Sequence, residues 1–145
     1  MSDLKETVVK YLAQHNIGTL ATISGDQPWA STVEYVNDGT TLYFSSNPET
    51  SKIRNLTVNS KVAFTVDEDY PDWSKIKGLQ ISGTAALVTD EAEQQKAVNL
   101  YVQKYPFIVN FPPSPNKFYK IVPNTVVYNY LSLPGNGQTF LPSRV

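Results

Sequence analysis

Between Leu42 and Leu56 the chain reads LYFSSNPETSKIRNL, a run in which hydroxyl side chains and two cations able to hold an anion converge. Ser45 and Ser46 close an apolar strand pattern, and after Pro48 the residues Thr50, Ser51 and Lys52 open a short amphipathic helix carrying Arg54 and Asn55. A helix start leaves its first N–H groups without partners, and its dipole favours negative charge there. Hydroxyls, free amides and two cations together suit a phosphate. The same residues also suit an ordinary surface helix, capped by Thr50 or Ser51, with Lys52 and Arg54 solvated. Propensity alone leaves both readings open.

Chemistry elsewhere is sparse. The absence of cysteine removes disulfides, thiol catalysis, and cysteine-ligated zinc and iron–sulfur sites. The one histidine, His15, falls near the end of an expected helix, where a cation complements the dipole; a general base would need an orienting partner that the sequence does not display. Asp67, Glu68 and Asp69 form an acidic cluster, but neighbours at a strand end point to different faces and no EF-hand spacing follows. A solvated loop is expected there, and no metal site. No GxSxG, HExxH, Walker A or GxGxxG pattern is present. Trp29, Trp73 and the nine tyrosines offer stacking surfaces, most of which read as filling for a small barrel. Trp73, among polar loop residues, has the least packing reason to exist and is the better ligand candidate.

A net charge of −1 argues against a nucleic-acid or membrane-surface binder. The N-terminal MSDLKETVV is charged and amphipathic, unlike a signal peptide, and no apolar run approaches the ~20 residues that span a bilayer. A soluble cytoplasmic protein is expected. With 145 residues, 41% of them hydrophobic and 17% charged, the chain suits one globular domain over 1–145.

Leu4, Val8 and Leu12 recur at helical spacing, which predicts a helix over 3–15. Strands are expected at Ile17–Ile23, Trp29–Val36 and Thr41–Ser46, with Ser24-Gly25-Asp26-Gln27 as one turn and Asp38-Gly39 signalling a second hairpin. After a helix over about 50–58 come a strand at Lys61–Val66 and a long one at Ile76–Val88. Gly78 and Gly83 inside the long strand suggest a bulge, a bend or a close backbone approach. Asp90-x-x-Glu93 reads as a capping box before a stripe of Ala97, Leu100/Tyr101 and Tyr105. Pro106–Pro115 is a proline-rich loop. Lys117–Val122 and Thr125–Leu131 give a last pair of strands around Pro123-Asn124, and the tail from Pro134 looks loose. Six or seven hairpin-linked strands with few helices predict a mainly-β fold, an antiparallel β-barrel with flanking helices.

The ordered blocks IGTLATI, PWASTVEYV, DGTTLYFSS, TSKIRNLTVNSKVAFTV and W-x-x-I-K-GLQISGTA span about residues 10–131. In this order they resemble the FMN-binding split barrel of the pyridoxamine 5′-phosphate oxidase-like group. The resemblance implies a six-stranded antiparallel split barrel that forms a homodimer with flavin at the interface. By position it places Ser31, Thr32 and Val33 on the flavin-contacting strand and Phe44, Ser45 and Ser46 on the strand ending near the phosphate. Ser51 and Lys52 fall on the phosphate-binding helix start, with Arg54 and Asn55 as helpers. Gln80 becomes a contact from the neighbouring subunit or at the ring edge. The implied activity is that of an FMN-dependent oxidoreductase acting on a small molecule, with the flavin rather than a side-chain nucleophile doing the chemistry.

Related barrels imply alternatives: a deazaflavin, haem, or a small-molecule-binding dimer without catalysis. A single histidine speaks against axially ligated haem, and a deazaflavin's acidic tail asks for a more basic cleft. True pyridoxamine phosphate oxidases resemble one another in an Arg-rich flavin strand and a C-terminal R-x-H-x-R segment. Here the strand reads Ala30-Ser31-Thr32-Val33, and the C-terminal region has only Arg144 and no histidine. Recognition of a second, substrate phosphate is therefore not expected, and neither is vitamin B6 oxidation.

Overall fold

The computed structural model describes residues 2–129 and 138–142. Its elements run α1 (Ser2–Gln14), β1 (Ile17–Ser24), β2 (Gln27–Asp38), β3 (Thr41–Ser46), α2 (Ser51–Val58) and β4 (Lys61–Asp67). They continue with β5 (Gly78–Leu87), α3 (Glu91–Lys104), β6 (Lys117–Asn129) and β7 (Gln138–Phe140). Every strand pairing is antiparallel, in the order β3-β2-β1-β4-β5-β6-β7, and β3 also pairs with β6. Six strands thus close into a barrel, and β7 extends it along β6.

Local chemistry sets the tight turns. Ser24 pairs with Gln27 and Asp38 with Thr41, so each of the first two hairpins has a two-residue loop. Glycine holds the first loop position in both, with φ of 63° at Gly25 and 59° at Gly39, and no other described residue has positive φ. This is the pattern of a II′ turn, whose twist matches the strands it joins. The Asp38-Gly39 signal therefore marks the right hairpin, with the loop one residue later than an Asp-Gly centre.

The C-terminal region departs from expectation in three places. Lys117–Asn129 is one continuous strand, not a pair turning at Pro123-Asn124. Pro123 sits opposite Gly83 where the register against β5 shifts, leaving Asn124 as the extra residue. A bulge tolerates proline's missing N–H, and glycine opposite makes room: a Cβ on Gly83 would lie 2.5 Å from the Val122 carbonyl oxygen. The tail is also not wholly loose, since Gln138–Phe140 pairs with Val126–Tyr128 and Phe140 is buried. The proline-rich loop contains a 3-10 turn at Pro106–Asn110.

Two buried clusters organise the interior. The larger fills the barrel and takes Val8, Tyr11 and Leu12 from α1 together with Ile53 and Leu56 from α2. The smaller joins Ala97, Tyr101 and Tyr105 of the α3 region to Val36, Tyr43 and Val88 on the outside of the sheet. Strand alternation explains why Leu42, Tyr43 and Phe44 are all buried: the first and third face the barrel, and the second faces α3. Asp90 caps α3 through the Glu93 N–H at 2.9 Å. Glu93 does not close the box back onto Asp90; its carboxylate takes the Tyr43 hydroxyl at 2.7 Å and Lys120 at 3.0 Å.

Lys104 ties the α3 end to the barrel. Its ammonium donates to the carbonyls of Leu12, His15 and Tyr35 and lies 4.2 Å from the Tyr35 ring centre. Burial nevertheless pushes its pKa down to about 8.

Candidate functional site

The barrel splits between β2 and β3. Their pairing runs from Asp38–Thr41 to Tyr35–Phe44 and stops there, while β2 stays paired with β1 down to Gln27. The reason is a side chain inserted at the parting. The Tyr101 hydroxyl donates to the Glu34 carbonyl at 3.0 Å and accepts the Ser45 N–H at 3.2 Å, two groups that would otherwise approach each other across the ladder. Beyond it one edge of β2 is bare. Tyr35 N–H points to Asn16 on the β1 side at 3.1 Å, so alternation turns the Thr32 amide and carbonyl to the free edge. Neither has a hydrogen-bond partner among the described residues.

The structure gathers part of the expected site around this split. Ser31 lies on the same face as Thr22 and Trp29, the Trp29 indole donating to its hydroxyl at 3.1 Å. Asn55 of α2 donates to Thr22 at 3.1 Å and seats the helix on that face. Ser46 is buried and meets Thr50 at 3.3 Å, bringing the β3 end onto the α2 start. Val33 and Phe44 point into the core, with Phe44 fully buried and stacked on Tyr119. Alternation turns the Val33 backbone toward β1 and the Phe44 backbone toward β6, so neither faces the split. Thr32 points outward.

Two members fall elsewhere. Gln80 is on the outer face in the row Thr32–Thr19–Thr65–Gln80 across β2, β1, β4 and β5. Three strand spacings, about 14 Å, separate it from Thr32 within one chain. Arg54 lies on the flank of α2 and lines a groove against β5 and β6.

The start of α2 is where the capped-helix and anion-site readings differ. Thr50 occupies the N-cap position yet makes no side-chain cap bond. Its hydroxyl donates instead to the Asn47 carbonyl at 2.9 Å. The backbone N–H groups of Ser51, Lys52 and Ile53 precede the first intrahelical bond, Arg54 N–H to Thr50, and have no partner among the described residues. Lys52 is half-buried and lacks an acidic partner among those residues, and this burial lowers its pKa from the usual lysine value. A desolvated cation beside three free amides is chemically matched to an oxyanion.

Of the two tryptophans, only Trp29 departs from expectation. Trp73 is 74% exposed in a short 3-10 turn and has no ring contact among the described residues. Trp29 is no barrel filler: it is 51% exposed beside Ser31, at the mouth of the split. Tyr101 was legible only as part of a helical stripe. Rings run outward from it, Phe118–Tyr101–Tyr105–Phe107–Phe111, with neighbouring centres 5.7–6.1 Å apart.

His15 is engaged on both sides, with Nδ1 2.8 Å from the Tyr11 carbonyl and Nε2 3.2 Å from Glu68. Glu68 is thereby drawn out of the solvated loop expected for the acidic cluster, while Asp67 and Asp69 stay exposed. No group of three or more metal-binding side chains forms among the described residues, and no helix among them is long and apolar enough to cross a membrane.

The fold is a split barrel whose second helix begins with amides that have no partner among the described residues. The chain belongs to the pyridoxamine 5′-phosphate oxidase family, whose model matches residues 4–129. It is 30% identical over 67 residues to general stress protein 26 of Bacillus subtilis strain 168, covering 46% of this chain and 48% of that protein. The match thus spans about half the length of that curated relative. A Listeria innocua protein provisionally described as a pyridoxamine 5′-phosphate oxidase superposes with a TM-score of 0.72 at 28% identity, over 86% of this chain and 97% of that one.

Other barrels of this shape carry different ligands. A haem-binding protein from Mycobacterium smegmatis matches with a TM-score of 0.80 at 17% identity, over 96% of this chain and 58% of its own. An FAD-binding protein from Mesorhizobium loti matches with a TM-score of 0.68 at 23% identity, over 87% and 92%. At these identities they share the fold alone.

Proposed function

We propose that this chain is a homodimeric flavoprotein that binds FMN non-covalently and acts as an oxidoreductase on a small molecule. The observation that carries the reading is the start of α2: three unpartnered amides and the half-buried, unpaired ammonium of Lys52. The FMN phosphate sits there, held by Lys52, Ser51 and the helix amides, with Ser46 and Asn55 fixing the helix start against the barrel. The bare edge of β2 supports the ring: Thr32 offers an amide and a carbonyl, and Ser31 and Val33 flank them. Bound flavin supplies electron and hydride transfer. The protein's share is to position the ring and hold water off one side of it.

The homodimer rests on the uncovered outer face of β1, β2, β4 and β5. Ala21, Ala30, Ala63, Thr19, Thr32, Thr65, Gln80 and Ser82 form a patch of small and uncharged side chains at its centre, and they remain exposed or half-exposed. Stacking a second copy there brings Gln80 to the partner's site, a reach that one chain cannot make. Haem finds less support, because both nitrogens of His15 are already engaged.

The test compares FMN with riboflavin, which lacks the phosphate, by quenching of flavin fluorescence. Lys52→Ala weakens FMN by about 1.5–3 kcal/mol, the range of a hydrogen bond to a charged group, and leaves riboflavin unchanged. Equal losses for both ligands, or no loss for FMN, would move the phosphate elsewhere.

A further inference from the structure

Between α3 and β6 the chain crosses from one lip of the split to the other. Tyr105, at the end of α3, donates its hydroxyl to the Tyr35 carbonyl of β2 at 2.7 Å. Lys117 opens β6, the strand paired with β3, and sits opposite Ser46. Residues 106–116 therefore join the β2 side to the β3 side. The crossing is stiff: four of its eleven residues are proline, which fixes φ, and Pro106–Asn110 forms a 3-10 turn.

The crossing seats one side chain and leaves larger ones bare. Ile108 packs with Phe118 against the α3 cluster. Phe107, Val109 and Phe111 are instead 58%, 66% and 63% exposed, and the two phenylalanine rings end the aromatic row that starts at Tyr101 in the parting. A contiguous apolar patch of this kind on a soluble chain marks a binding surface. Its charge is also definite. No residue from 105 to 116 is charged. On the β2 lip the Glu34 side chain is exposed and has no ion pair among the described residues. It stands close to the row: burial first, and then the Glu34 carboxylate, pushes the Tyr105 hydroxyl up to about 12. Lys104, from the same helix end, is already taken up by three backbone carbonyls. Bare aromatic faces beside an unpaired carboxylate suit a flat ring without negative charge.

We propose that residues 106–111 form the substrate wall of the split, where Phe107 and Phe111 stack a flat, uncharged aromatic compound and Glu34 turns anions away. The inference rests on the flavin reading above and names the substrate class for that same site. Because the crossing joins the two lips, a ring on Phe107 and Phe111 lies beside the flavin that Thr32 and Lys52 hold. A substrate without a phosphate also has no need of the arginines that this chain lacks. The prolines hold the wall in place before the ligand arrives, so little order is lost on binding. These side chains bind and select; they make and break no bond.

Equilibrium dialysis of the FMN-loaded chain against 2-naphthol and against naphthalene-2-sulfonate, which share a ring system and differ in charge, tests this. The neutral compound is expected to bind about tenfold more tightly than the anion. Phe107→Ser and, separately, Phe111→Ser weaken 2-naphthol by about fivefold to tenfold. Glu34→Gln narrows the gap between the two compounds by about threefold. FMN affinity and the size on gel filtration stay at their wild-type values in all three variants, which also shows that they fold. Equal binding of the two compounds, or 2-naphthol affinity untouched by both phenylalanine variants, overturns the inference while the flavin reading stands. A fall from dimer to monomer in either phenylalanine variant also overturns it, because the patch is then an interface between copies. A chain that takes up no FMN overturns the flavin reading and this inference with it.

Discussion

Replacing Tyr101 with phenylalanine removes one oxygen and tests how the split is held open. The ring stays against Phe118 and Tyr105, whose centres are each 5.7 Å away, so packing is kept. What is lost is the bridge at 3.2 Å to the Ser45 N–H and at 3.0 Å to the Glu34 carbonyl. Each neutral bond contributes about 0.5–1.5 kcal/mol net, and a buried group left unpaired costs about 1–3 kcal/mol. Because the parted strands can move toward each other and repair one contact, the expected loss is about 1–3 kcal/mol. At roughly 3 °C per kcal/mol for a chain of this length, the thermal midpoint falls by about 3–9 °C. Urea unfolding followed by tryptophan fluorescence measures the same loss at constant slope. Repair by closure also narrows the split, so FMN affinity falls together with stability. A Tyr101→Phe variant with the wild-type midpoint would refute the idea that this hydroxyl wedges β2 from β3.

Gly83→Ala places a methyl carbon 2.5 Å from the Val122 carbonyl oxygen and 3.0 Å from the Pro123 Cα. Backbone must shift, and a destabilisation of about 1–3 kcal/mol is expected in a denaturant titration. Lys104→Met deletes three bonds to backbone carbonyls and should cost about 2 kcal/mol at neutral pH. Its pH dependence has a definite sign. Between about 8 and the usual 10.5 the unfolded chain keeps the lysine proton and the folded chain releases it. Raising pH through that window therefore stabilises the wild type relative to Lys104→Met, as paired melts at pH 7.5 and about 9.5 would show; a difference that shrinks would contradict the burial of this amine.

Local signals in the chain placed most of the barrel. Glycines at the two hairpins, the alternation in β1 and β4 and the Asp90 cap act over a few residues, so they can be read without knowing the fold. The start of α2 was visible as a candidate, but propensity could not say whether Thr50 caps it. That depends on Asn47, whose carbonyl draws the threonine hydroxyl away. Pro123 misled for a related reason: its bulge is made possible by Gly83, forty residues earlier and across the sheet. Tyr101 showed its apolar side in the helical stripe, whereas its hydroxyl acquires a role only once β2 and β3 part around it. Phe140 is buried against a sheet edge that no local pattern reveals.

The central claim is that the start of α2 and the bare edge of β2 hold a flavin. The most direct measurement is reconstitution: saturate the purified chain with FMN or FAD, remove free flavin by gel filtration, and read the visible absorbance of the protein peak. The account expects about one flavin per subunit, co-eluting at the size of a dimer. A colourless protein peak after saturation with either flavin would contradict it.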